Sequence, residues 1–134
     1  MSLITWNDSY SVKVNEMDNQ HKKLVDLINT MHDAMKVGKG KEIIGEISKA
    51  LLDYTKRHFN AEEMLMKLHN YPGYEEQKRV HNQLVSEILD IQKKFEAGTV
   101  ISQEVITFLK NWLVNHIQGM DQKYGSYLNI KGVH

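Results

Sequence analysis

A chain of 134 residues, 41% hydrophobic and 25% charged, has the size for one domain, expected over 1–134, around a single core. Lysine plus arginine balances aspartate plus glutamate at 17 each and neither sign forms a long block, which argues against nucleic acid or anionic lipid as partner. The absence of cysteine excludes disulfides, thiolate nucleophiles, cysteine zinc sites and iron–sulfur clusters, and leaves the seven histidines as the chemical lead.

The first residues, MSLITWNDSYSVKV, lack the basic-then-apolar order of a signal peptide. No later segment reaches the roughly 18 uninterrupted apolar residues of a membrane span, so a soluble, cytoplasmic protein without membrane contact is expected. Within this N-terminal arm, Tyr10 to Val14 carry the only strand-like alternation of apolar and polar residues. Helical spacing then runs near 19–37 and is broken at Gly38-Lys39-Gly40. A second helix over 41–69 ends at Asn70-Tyr71-Pro72-Gly73, a third over 74–96 ends at Ala97-Gly98-Thr99, and a fourth covers 102–120. Short loops make consecutive helices antiparallel neighbours. The predicted fold is therefore all-α, an up-down-up-down four-helix bundle with an N-terminal arm and a short C-terminal tail. Trp6 of the arm and Tyr124 and Tyr127 of the tail are expected to pack over the bundle ends as structural residues.

Steps of three and four residues define the inward stripe of each helix. They give His21, Leu24, Ile28, Met31 and Met35 in the first, and Ile44, Ile47, Leu51, Tyr54, His58, Glu62 and Leu65 in the second. The third reads Gln77, His81, Leu84, Ile88, Ile91 and Phe95, and the fourth Val105, Leu109, Trp112 and His116. Polar side chains enter each stripe at one end only. The antiparallel order puts those ends level, so His21, His58, Glu62, Gln77, His81 and His116 converge in one layer.

A single histidine on an apolar stripe is more often a hydrogen-bonded core residue than a ligand, because leaving it buried and unsatisfied costs about 1–3 kcal/mol. Four histidines at one depth, each from a different helix, would need polar partners where the neighbours are aliphatic. A cation supplies those partners and compensates the buried charge of Glu62. Asp121 follows His116 by five residues, more than a hundred degrees off its face in a regular helix. Gly119 marks where a local distortion or an early helix ending could return it to the layer. His32, His69 and His134 fall off the layer and read as surface residues, while Met31, Met35 and Met64 read as core filling.

Trp6, Asp18-Asn19-Gln20-His21, HFNAEE at 58–63, YPGY at 71–74, His81 and WLVNHIQGMD at 112–121 together resemble the bacteriohemerythrins, the bacterial branch of the hemerythrin family, over nearly the whole chain. The resemblance implies two iron ions joined by an oxo or hydroxo bridge and by two carboxylates, binding O₂ or a small anion. It makes His21 and His58 ligands of the iron with an open position, Glu62 and Asp121 the bridging carboxylates, and His81 and His116 ligands of the other iron. That iron normally has a third histidine, four residues before His81, where this chain has Gln77. An amide oxygen is a weaker and harder donor of similar reach, so Gln77 ligates through oxygen, holds a water or anion that does, or leaves an iron weakly enough held to be partly lost or replaced by another metal. The family's apolar wall beside the open iron corresponds to Leu24, Trp112 and Ile117, each also a good core residue. Two readings follow: carriage, storage or delivery of O₂ by a binding protein rather than an enzyme, or a di-iron redox enzyme or sensor acting on peroxide, nitric oxide or another small oxidant. No second domain is visible to receive a sensory signal, and no acid–base pair stands outside the candidate ligands, which places O₂ binding first.

Overall fold

The computed structural model describes residues 3–38, 40–98 and 103–134. Four long helices form the bundle: α1 (Asn15–Lys36), α2 (Lys41–Leu68), α3 (Tyr74–Glu96) and α4 (Gln103–His116). A π-helical turn, Ile117–Asp121, then carries the chain without a break into α5 (Gln122–Ile130). Helix α1 packs against α2 and α4, and α2 packs against α3, the neighbour relations of an up-down-up-down bundle. Left-handed backbone at Gly38 (φ 72°), Asn70 (φ 55°) and Gly98 (φ 106°) ends the first three helices where the sequence breaks stand. No strand occurs among the described residues.

Three sequence expectations change. Helix α1 begins at Asn15 rather than near 19, its first turn closed by the Asp18 N–H donating to the Val14 carbonyl at 2.9 Å. The Asp18 carboxylate turns back on the arm, accepting from Ser11 Oγ at 2.6 Å and from the Val12 N–H at 2.8 Å. Tyr10 closes a 3-10 turn over Asp8–Tyr10 and Lys13 has left-handed backbone (φ 63°), so the Tyr10–Val14 alternation is an anchored irregular segment and not a strand. Val12 and Val14, at 1% and 2% exposure, are the buried side of that alternation. What reads as a short C-terminal tail is helical as far as Ile130. Its inward face is Tyr124, Gly125 and Leu128, and the arm lies across it. A β-carbon at Gly125 would stand 2.1 Å from the Val12 carbonyl oxygen, so only glycine lets the two backbones approach this closely.

The stripes of α1 and α3 are buried along most of their length. In α2 and α4 the buried face is turned slightly from the predicted one. It runs through Ser48, Leu51, Leu52, Thr55, His58, Phe59, Glu62 and Met66, and through Ile106, Leu109, Leu113 and His116. Ile44, Ile47, Tyr54, Leu65, Val105 and Trp112 are partly buried at the margins of the core. A helix of 28 residues drifts from a strict heptad by about 20° per repeat, which is how a stripe read by steps of three and four loses the face centre. Met31 is a core residue at 1% exposure, whereas Met64 is 73% exposed and fills nothing.

Candidate metal centre

The polar ends of the helices meet as one layer. His21 comes from α1; His58 and Glu62 stand one turn apart on α2; Gln77 and His81 stand one turn apart on α3; His116 closes α4. Each is at most 6% exposed. Asp121, 1% exposed, joins them because residues 117–121 form a π turn. Hydrogen bonding at a spacing of five instead of four returns a residue five positions later to the starting face. Asp121 Oδ1 accordingly lies 3.2 Å from His116 Nε2. The distortion expected around Gly119 is this turn.

Both carboxylates span the layer. Glu62 places Oε2 3.3 Å from His21 Nε2, and Oε1 3.1 Å from His58 Nε2 and 3.5 Å from His81 Nε2. Asp121 reaches His21 Nε2 with Oδ2 at 3.2 Å and His116 with its other oxygen. His81 Nε2 and His116 Nε2 face each other at 3.2 Å. The donors sort into two groups, His21, His58 and Glu62 in one and His81, His116 and Asp121 in the other, each with its donor atoms within 4.8 Å of one another. Gln77 lies beside the second group and donates from Nε2 to Asp121 Oδ1 at 3.0 Å.

Outer contacts orient these rings. Gln20 Oε1 is 2.7 Å from His58 Nδ1, and Glu63 Oε2 is 2.8 Å from His81 Nδ1. Phe59 stacks parallel on His81 with ring centres 3.8 Å apart, and Trp112 stacks on His116 at 4.4 Å. The Tyr124 hydroxyl donates to Glu62 Oε2. Sequence reading assigned none of these roles and took Tyr124 for a cap on the bundle end. It is fully buried and reaches the layer itself. The available signal was general: an imidazole that uses Nε2 on a metal leaves Nδ1 needing a partner. Gln20 and Glu63, each beside a layer residue in sequence, were the candidates.

The electrostatics follow from burial and crowding. Burial opposes protonation of His21, but Asp121 and Glu62 outweigh it and raise its pKa to about 10. Burial likewise disfavours the Glu62 carboxylate, and His58 and His21 more than reverse this, holding it well below its usual range. Asp121 is also held low: His116 and His21 outweigh burial and repulsion from Glu62. Tyr124 is pushed well above its usual value by burial first and by Glu62 and Asp121 next, so it remains a protonated donor. The sign for the metal-free protein is fixed by these directions. Stability from His21 is complete below the unfolded value near 6.5 and is lost as pH rises through about 10. Stability from the two carboxylates is present above roughly pH 4 and is lost in acid. Melting temperatures of metal-free protein should therefore fall between pH 7 and pH 10 as well as below pH 4. A flat profile from pH 7 to 10 would refute this.

A cavity of about 20 Å³ runs below the layer, lined by Leu24, Phe59, Leu109, Trp112 and Leu113 among others. Phe59 and Trp112 are the two residues that stack on His81 and His116, so the cavity adjoins the layer. Leu24, one turn after His21, and Trp112 both line this cavity. Ile117 does not line this cavity; it is packed at 1% exposure in the π turn. His32 and His69, expected at the surface, are half-buried, while His134 is exposed.

Buried polar atoms test whether the layer suits a cation. Among the described residues, His21 Nδ1 and Nε2, Glu62 Oε1, Gln77 Oε1 and His32 Nδ1 are buried without a hydrogen bond, and only the last lies off the layer. His21 Nε2 is at ion-pair distance from both carboxylates but off the direction that a hydrogen bond requires. Orphaned buried polar atoms are rare in folded proteins and costly. Four of them on three side chains in a nest of imidazoles and carboxylates match the nitrogen and oxygen donors that first-row metals take.

Comparison with known proteins points the same way. The family described as Hemerythrin HHE cation binding domain matches residues 12–128. The chain is 38% identical over 131 residues to the bacteriohemerythrin of Methylococcus capsulatus, covering 96% of this chain and 99% of that protein. It is 36% identical over 124 residues to that of Stenotrophomonas maltophilia, covering 92% and 80%. A wild-type hemerythrin crystal structure superposes with a TM-score of 0.89 at 37% identity, covering 93% of this chain and 97% of that one. Sequence, fold and the geometry of the buried layer agree, and the chain belongs to the hemerythrin family.

Proposed function

We propose that this chain, as a single domain in the cytoplasm, holds two iron ions in the buried layer and binds O₂ there. His21 and His58 would hold one iron and His81 and His116 the other, Glu62 and Asp121 would be shared between the two, and Gln77 would add an oxygen donor to the second. The carrying observation is that each carboxylate lies within 3.5 Å of histidines from both groups. A pair of ferrous ions held there would supply the electrons that O₂ binding requires.

The chain's own residues do the rest. Leu24, Phe59, Leu109, Trp112 and Leu113 keep the adjoining cavity apolar, which admits a small neutral molecule and excludes water. Tyr124 fixes one oxygen of Glu62 and stays protonated while doing so. Gln20 and Glu63 fix the tautomers of His58 and His81 so that Nε2 of each faces the centre. No other side chain in the layer offers an acid–base pair, which favours binding over turnover. No helix among the described residues is long and apolar enough to cross a membrane. The balance of 17 basic and 17 acidic side chains favours no nucleic-acid partner.

Protein expressed in iron-rich medium is expected to carry close to two irons per chain. Anaerobically reduced protein should show an optical band on adding O₂ that disappears when O₂ is removed. Metal analysis finding less than about half an iron per chain, with helical content intact, would end the di-iron reading. Two irons with a band that decays and does not return would favour the redox-enzyme alternative.

A further inference from the structure

The histidines of the layer differ in what holds their second ring nitrogen. His21 Nδ1 has no partner, His58 Nδ1 meets the neutral amide of Gln20 at 2.7 Å, and His81 Nδ1 meets the carboxylate of Glu63 at 2.8 Å. The only carboxylate among these partners thus serves the histidine that stands one turn from Gln77, on the side of the layer that lacks an imidazole. Helix α2 grips this one ring three times. Phe59 stacks flat on its face, Glu62 approaches Nε2 at 3.5 Å, and Glu63, one turn after Phe59, takes Nδ1. Stacking fixes the ring plane, and the carboxylate fixes its rotation and tautomer. The Glu63 side chain is 14% exposed, so solvent screens this contact only weakly.

We propose that Glu63 is a positioning residue for His81: its carboxylate accepts the Nδ1 proton, aims Nε2 at the second metal, and strengthens that imidazole as a donor, offsetting the weaker amide of Gln77. The inference rests on the two-iron reading above. An imidazole whose N–H is given to a carboxylate carries more electron density at its other nitrogen than one bonded to an amide. A metal held by His81, His116, the two carboxylates and an amide would gain most from that added basicity, because the amide of Gln77 stands where a third imidazole would be.

Glu63→Gln tests the charge with the shape retained, since a glutamine carbonyl can still accept from Nδ1. Anaerobic, ferrous, full-length protein is challenged with ferrozine, and the reduction potential is measured by titration. The expected result for Glu63→Gln is two irons at the start, one of them released about tenfold faster than from the unmodified chain, and a higher reduction potential. In a Gln77→His background the Glu63→Gln effect should shrink, since the imbalance has been removed. Independent of any variant, the zinc-loaded protein should show the His81 Nδ1 proton further downfield than the corresponding His58 proton by NMR. Fewer than two irons in the unmodified chain overturns the two-metal reading. Two irons there, together with equal release and equal potential in Glu63→Gln, or a His81 proton no further downfield than that of His58, overturns the role of Glu63 alone.

Discussion

Glu62→Ala is expected to reduce the iron content of the purified protein from about two per chain to less than half of one. Glu62 lies within 3.5 Å of His21, His58 and His81, so its loss opens both metal positions at once, whereas loss of any one histidine weakens one. It also strands Tyr124, whose buried hydroxyl has Glu62 as its partner. Metal binding that is selective for the folded chain stabilises it by about 2.7 kcal/mol when free metal is a hundredfold above the dissociation constant. The variant should forfeit that increment, so its melting temperature should barely respond to added ferrous iron while the unmodified protein's rises. Hydrogen exchange should localise the difference to 58–65 and 112–121, the segments that carry His58, Glu62, His116 and Asp121. Iron content near two in Glu62→Ala would show that the carboxylate does not bridge. Glu62→Gln, which keeps the volume and one neutral oxygen, should fall between the two.

The fold was largely legible because its signals are local and repeated. Gly38, Asn70 and Gly98 adopt left-handed backbone where the sequence breaks fall, and four periodic stripes between them leave little choice but a bundle. The layer was legible because antiparallel order turns positions on separate helices into one depth. Contacts between segments remote in sequence were harder to read. Asp18 binding back to Val12 and Ser11 moves the start of α1, and the arm can lie on α5 only because Gly125 has no β-carbon. The continuation of the last helix was hidden by Gly119, which reads as a stop but sits inside a π turn with open space around it. Tyr124 was missed for the same reason: it lies three residues beyond Asp121, on a helix that the periodicity had already ended. Motif order placed Asp121 at the centre, and the backbone geometry that brings it there became visible only in three dimensions. Polar networks are specified by side-chain direction, which spacing alone does not encode. Hence the partners Gln20 and Glu63 came from the structure.

Gln77→His is expected to tighten the second metal and lengthen the lifetime of the O₂-dependent optical band. The Gln77 side chain is 1% exposed, gives its N–H to Asp121 Oδ1 at 3.0 Å, and leaves Oε1 buried with no hydrogen bond. Turning the amide over would put its oxygen where the nitrogen now stands. That would set two oxygens against each other, and a cation shared between them would relieve the repulsion. An amide in that place is a weak donor that exchanges readily with water or a small anion. Histidine at 77 replaces it with an imidazole one turn from His81 on the same buried face, and the second iron then presents no exchangeable position. Exogenous ligands are left with the iron of His21 and His58. Azide titration should accordingly fall from two equivalents in the unmodified protein to one in Gln77→His. Release of the second iron to ferrozine should slow by about tenfold, in line with the change in donor strength. If iron release, azide stoichiometry and band lifetime are all unchanged, Gln77 is a hydrogen-bond partner of Asp121 and no ligand, and its orphaned Oε1 answers to something other than metal.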